Sequence, residues 1–287
     1  MKRRDALRVL GLSAGAVALA RPRPVQAMTP ETDDPVAVLV DTTRCIGCRM
    51  CEFACAEANG LPEPDGATEP SPDRDTSTTQ WTVVKGYTVG ERTVTVKRQC
   101  MHCLQPACAV GCLTRALRKT PDGPVTWDGG KCMGCRYCML SCPFDVPRFE
   151  YDSANPRIEK CQLCSARVAR GQRPACVEAC PAQALLFGRR NNLLEEARTR
   201  IYTHPDQYVH QIYGEREVGG TSWLYLSAVP FEQIGFRTDL ATTAYPLYTK
   251  EFLYAVPLVL TLVPPLLLGL RRGTAGAHED EDEGGQP

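Results

Sequence analysis

Four cysteines stand within eleven positions of the segment "KCMGCRYCMLSCP", at Cys132, Cys135, Cys138 and Cys142, and Pro143 follows the last. The same C-x2-C-x2-C-x3-C spacing occurs in "CIGCRMCEFAC", at Cys45, Cys48, Cys51 and Cys55. Two looser copies keep the outer elements of the pattern. "CMHCLQPACAVGC" sets Cys100, Cys103, Cys108 and Cys112, with four residues in place of two before the third cysteine. In the last group eleven residues separate Cys161 and Cys164 from Cys176 and Cys180, and Pro181 follows. These groups use all sixteen cysteines of the 287-residue chain, so any fold has to be built around them.

A chain this long is not a small disulfide scaffold. Cysteines three apart in a tight loop rarely meet disulfide geometry, although spacing alone leaves that pairing open. Structural zinc sites use two separated C-x2-4-C pairs rather than repeated runs of four. The proline-terminated spacing is that of bacterial ferredoxins, which hold [4Fe–4S] clusters. Three cysteines at i, i+3 and i+6 curl around one cube and bond three of its irons. The fourth, displaced along a short helix, ligates the neighbouring cluster. At four ligands per cluster the sixteen cysteines supply four [4Fe–4S] clusters with none left over. A [3Fe–4S] cluster at one site is the variant this arithmetic leaves open.

The cross-ligation rule also suggests which groups pair. The stretch between Cys112 and Cys132 fits one hairpin, so groups two and three form an inner dicluster unit over about residues 92–152. Groups one and four then form an outer unit of about residues 35–60 plus 155–190. The first cluster takes Cys45, Cys48, Cys51 and Cys180, and the second Cys100, Cys103, Cys108 and Cys142. The third takes Cys132, Cys135, Cys138 and Cys112, and the fourth Cys161, Cys164, Cys176 and Cys55. Sequential pairing, one with two and three with four, is the alternative.

Strand-like segments flank the groups: "VAVLVD", "RTVTVKR", "ALRKTPDGPVTW" around a Pro-Asp-Gly turn, and "ALLFG". The expected fold is α+β, with two nested ferredoxin-like dicluster units over residues 35–190. Residues 61–80, rich in Pro, Asp and Thr, read as an exposed loop, and 191–250 as a linker and partner-docking region. Gly47 and Gly134 lie inside C-x-G-C turns, where a missing Cβ lets backbone amides approach a cluster. Arg49, Arg136 and Lys160 are candidates to offset cluster charge, and equally ordinary solvated residues. His102 reads as a packing or hydrogen-bonding residue rather than a ligand.

Both ends carry localisation signals. Residues 1–27 read as a signal peptide: Arg3-Arg4, an apolar run from Ala6 to Ala20, and Val25-Gln26-Ala27 as a cleavage site. "KRRDALR" resembles the twin-arginine export signal, with Ala6 where that family more often has Phe. This segment carries +5, leaving −5 on the rest of the neutral chain, and nothing in that balance suggests a nucleic-acid partner. Residues 251–272 read as a transmembrane anchor. Phe252 to Leu270 are 19 residues without a charge, close to the ~30 Å hydrocarbon core at about 1.5 Å per residue. A buried core helix is the alternative. Arg271-Arg272 set the C-terminus inside, so the acidic tail, 273–287, is expected to be cytoplasmic and disordered, and the body to lie on the periplasmic face.

No catalytic site is legible. There is no Gly-rich phosphate loop, and His102, His204, His210 and His278 form no triad. The cysteine groups resemble those of the four-cluster electron-transfer subunits of membrane-bound respiratory oxidoreductases. A twin-arginine leader with one C-terminal anchor, and "IYGEREVGGTSWLYLSAVPFEQIGF" before it, is most similar to the hydrogenase-2 type iron–sulfur subunit. The resemblance implies a non-catalytic subunit that relays electrons between the small and large subunits of a periplasmic [NiFe]-hydrogenase and a quinone-reactive integral membrane subunit. The same role beside a formate dehydrogenase or another molybdenum or tungsten enzyme is the alternative.

Overall fold

The computed structural model describes residues 34–282, so the expected leader, 1–27, lies outside the described residues. Its centre is a three-stranded sheet in the order β8 (Leu185–Arg189), β1 (Val36–Asp41), β9 (Trp223–Leu226). Strand β1 is apolar from Val36 to Val40 because both of its faces are covered. Val38 and Val40 face the core that holds Trp223, Tyr225 and Cys176, whereas Ala37 and Leu39 face Leu193, Leu194 and Ala197. The last three belong to helix α6 (Arg190–Thr203).

Strand β8 (Leu185–Arg189) runs antiparallel to β1, with Val38 opposite Phe187. On the other side β9 (Trp223–Leu226) runs parallel to it, with Val38 opposite Trp223. Thus the span 191–250, expected as a linker and docking region, supplies α6 and a fully buried strand of the central sheet. Its apolar core is only the four residues "WLYL", too short to stand out from a connecting segment.

Three hairpins complete the strands: β2 (Val83–Val89) with β3 (Arg92–Arg98), β4 (Leu117–Lys119) with β5 (Val125–Trp127), and β6 (Arg148–Phe149) with β7 (Ile158–Glu159). Short helices follow the cysteine loops: α1 (Met50–Asn59), α2 (Ala107–Val110), α3 (Tyr137–Leu140), α4 (Ser165–Val168) and α5 (Ala175–Glu178). Helix α1 packs on α5 and α2 on α3, so elements of the first and last cysteine groups meet, as do those of the middle two.

Helix α7 (Tyr245–Asp282) runs through Pro257, Pro264 and Pro265. Its Tyr245–Arg271 portion, 27 residues whose most apolar 18-residue stretch has a mean hydropathy of 2.1, is long and apolar enough to cross a membrane. The helix does not stop at the expected anchor. It continues to Asp282, so residues 273–282 of the acidic tail are helical rather than irregular; no proline follows Pro265 to end it before that point.

The turn before β9 depends on Gly214, whose φ is +94°. A Cβ there would lie 2.2 Å from the Trp223 carbonyl oxygen, which is backbone and has no rotamer by which to retreat. Gly214→Ala is expected to cost about 2–4 kcal/mol, from the left-handed φ and the clash together. A lowered Tm of the cluster-loaded protein is the readout.

Candidate metal centres

The sixteen cysteines line four cavities, four to each. Cys45, Cys48, Cys51 and Cys180 line the first, and Cys100, Cys103, Cys108 and Cys142 the second. Cys112, Cys132, Cys135 and Cys138 line the third, and Cys55, Cys161, Cys164 and Cys176 the fourth. No two cysteines are bonded as a disulfide. Among the described residues, no three His, Cys, Asp or Glu side chains converge on a point suited to a single metal ion. The cysteines stand around a space, an arrangement that suits a polynuclear cluster and not a tetrahedral zinc.

Local sequence builds these linings twice in the same way. In "CIGCR" and "CMGCR" the glycine has φ of +71° or +70°, and the arginine +62° or +60°. Each left-handed arginine immediately precedes its helix, α1 or α3, and turns the chain so that three cysteines face one cavity. Protein donors reach some of the sulfurs. The Leu117 amide donates to Cys112 Sγ at 3.4 Å, the Leu163 amide to Cys161 Sγ at 3.4 Å, and Asn59 Nδ2 to Cys55 Sγ at 3.6 Å.

Burial pushes the Cys138 and Cys142 thiols up to about 11 and that of Cys55 up to about 12. These sulfurs therefore ionise, as ligation demands, only with a cation in the cavity. Cys112 is the exception. Burial pushes it up too, but the Leu117 amide and Thr114 hydroxyl more than offset this and hold it below the ordinary thiol range.

Three buried lysines supply the opposite charge. Lys97 Nζ donates to Thr82 Oγ1 and Gln99 Oε1 at 2.6 and 2.9 Å, and lies 4.6 Å from the centroid of the Trp223 ring. Lys119 donates to the carbonyls of His102, Cys103 and Gly123, and Lys160 to those of Val125 and Cys161. All three are buried, and their hydrogen-bond partners are neutral oxygens. An unpaired buried ammonium is costly, so a net negative group in the adjoining cavities complements this set. Burial works against the Lys97 charge, but Coulombic coupling to the sulfurs of Cys176 and Cys51 keeps its pKa above the ordinary lysine value. Trp127 and Trp223 line the third and fourth cavities, and their buried indole N–H groups have no protein acceptor. The donors and the charge fit [4Fe–4S] clusters.

The cavities adjoin in series. Cys51 and Cys180 share a core with Cys176, which joins the first cavity to the fourth. Cys55 and Cys161 pack with Cys100 and Cys142, joining the fourth to the second. Cys108 packs with Cys112, Cys132 and Cys138, joining the second to the third. Cys48 and Cys135, in the two end cavities, are the exposed cysteines.

Of the basic residues singled out by sequence, Lys160 is buried beside the second cavity. Arg136 is exposed, over the rings of Phe149 and Tyr151. Arg49 is buried rather than solvated, and pairs with Glu52 at 2.9 Å. His102 is fully buried, and its Nδ1 accepts from the Val125 amide at 2.8 Å, the hydrogen-bonding role expected for it.

Glu52 is a residue that spacing did not reveal. Its carboxylate accepts from Arg49, from both Arg74 nitrogens at 2.7 and 2.8 Å, from Gln80 Nε2 at 2.8 Å, and from the Val84 amide. Burial would push its pKa up, but the hydrogen bonds from Arg74, Arg49 and Val84 hold it below the usual carboxylate range. Arg49 also donates to the carbonyls of Asp65 and Thr68. Hence the 61–80 excursion is not merely an exposed loop: it is tied through Arg74 and Gln80 to the helix that carries Cys51 and Cys55.

Residues 92–190 match the family of 4Fe–4S dicluster domains. A Nitratidesulfovibrio vulgaris Hildenborough protein is 46% identical over 280 residues, covering 94% of this chain and 76% of the relative. The hydrogenase-2 operon protein HybA of Escherichia coli O157:H7 is 34% identical over 291 residues, covering 88% of each chain. The iron–sulfur subunit of the nitrate-inducible formate dehydrogenase of Escherichia coli K12 is 36% identical over 201 residues, covering 67% of each.

Proposed function

Because the chain belongs to the ferredoxin-like iron–sulfur subunit family that includes HybA and formate dehydrogenase iron–sulfur subunits, we propose that it relays electrons within a membrane-bound respiratory hydrogenase. The four cysteine-lined cavities adjoining in series are the observation that carries this reading. Each would hold one [4Fe–4S] cluster on the four cysteines that line it, as two nested dicluster units. A bound cluster accepts and releases a single electron. The protein's part is to fix the four sites close together, exclude water from the middle two, and supply buried lysines and amide donors around them. Catalysis belongs to partner subunits.

The two ends of the series would meet different partners. Helix α7 touches α2, which packs on α3, the helix that follows Cys135 at one end of the series. Leu113 and Leu140, each 84% exposed, flank that end with Val110, Met133 and Tyr137. It would therefore face the integral, quinone-reactive subunit, and the Cys48 end, with exposed Ile46 and Met50, the hydrogenase small and large subunits. In this reading residues 1–27 are a twin-arginine signal, α7 is the anchor, and the body lies on the periplasmic face with the C-terminus inside.

A formate dehydrogenase or other molybdenum or tungsten partner is the second reading, favoured by the 36% identity to a formate dehydrogenase subunit. The match to HybA spans more of this chain, 88% against 67%. Metal analysis of the intact complex purified through this chain decides. Nickel is expected; molybdenum or tungsten without nickel would replace the hydrogenase reading with the second.

A further inference from the structure

We propose that Lys97 is a counter-charge shared by the first and fourth clusters and raises the reduction potentials of both. The inference rests on the reading that the cysteines hold clusters. Among the charged residues lining the four cavities, Lys97 is the one that lines two of them. Arg49 lines the first cavity, Arg136 the third and Lys160 the second. It is 2% exposed, on a strand whose other lysine-sized neighbour in sequence, Arg98, stands over Phe236.

The surroundings of the ammonium hold a charge in place without neutralising it. Thr82 Oγ1 and Gln99 Oε1 accept two of its protons, and the Trp223 ring presents its electron-rich face. Gln99 is itself fixed, donating from Nε2 to the Tyr225 hydroxyl at 2.7 Å, and that hydroxyl donates to the Lys97 carbonyl at 3.0 Å. The side chain therefore cannot swing to solvent. Reduction adds one negative charge to a cluster, and a fixed cation in a water-poor interior stabilises that reduced form. Bordering both cavities, the same cation acts on the two outer clusters, whereas Lys160 lines the second cavity alone and Arg136 the third.

The test is an anaerobic redox titration followed by electron paramagnetic resonance, on the full chain in its complex, with iron counted in the same samples. In Lys97→Met two of the four potentials are expected to fall by at least tenfold in reduction equilibrium constant, about 59 mV for one electron. They should be those of the signals lost in Cys180→Ala and Cys55→Ala. Lys97→Arg should stay near the wild type. Full iron with no potential moved, or with all four moved alike, overturns the proposal. Should Lys97→Met fail to retain iron, Thr82→Val and Gln99→Leu keep the charge and release its hold. A smaller shift confined to the same two clusters then supports the proposal, and no shift overturns it. Wild-type protein lacking the full iron content would sink the four-cluster reading instead, so the two failures are distinct.

Discussion

Cys142→Ala is expected to remove the cluster held by Cys100, Cys103 and Cys108, and to spare the one beside Cys132, Cys135 and Cys138. Cys142 follows the third group in sequence, yet it lines the second cavity, where burial keeps its thiol near 11. Without it the second cluster has three ligands and one open iron, so about four irons per chain, or one in a [3Fe–4S] remnant, should be lost. The magnetic signal that disappears should be the one that disappears in Cys108→Ala. Under sequential pairing Cys142 would serve the fourth group, and its signal would match that lost in Cys176→Ala.

Glu52→Ala should be among the most destabilising single substitutions away from the cysteines, by about 3–5 kcal/mol. Its carboxylate is fully buried, and the Arg49 and Arg74 side chains paired with it are 6% and 10% exposed. Removing it strands two guanidinium groups and the Val84 backbone N–H away from water, and takes a partner from the half-buried Gln80 amide. Both the turn that presents Cys48 and Cys51 and the tether of the 61–80 segment depend on this carboxylate. Denaturant or heat should therefore bleach the first cluster in Glu52→Ala well before it does in the wild type. An unchanged midpoint would show that the network contributes no net stability.

Much of this architecture is legible in sequence because cysteine spacing is a chemical constraint and not a propensity. The strands "VAVLVD", "RTVTVKR" and "ALLFG" stand where their composition suggests, next to those groups. What sequence concealed are residues whose role comes only from tertiary position. Lys97 alternates with valines in "VTVKR" like any surface lysine of a half-buried strand, and only the fold turns it inward between two cavities. Glu52 sits in a helix's first turn, where an acidic residue is ordinary, and all its partners but Arg49 lie 22 to 32 positions away. Strand β9 escaped notice for the same reason: four apolar residues become a core strand only when β1 is there to pair with them.

Iron and acid-labile sulfide, counted per chain in anaerobically purified full-length protein, test the central claim most directly. Four clusters on sixteen cysteines predict about sixteen of each. About eight of each would mean that only one pair of cavities is filled, and zinc or neither element would contradict the electron-relay account altogether.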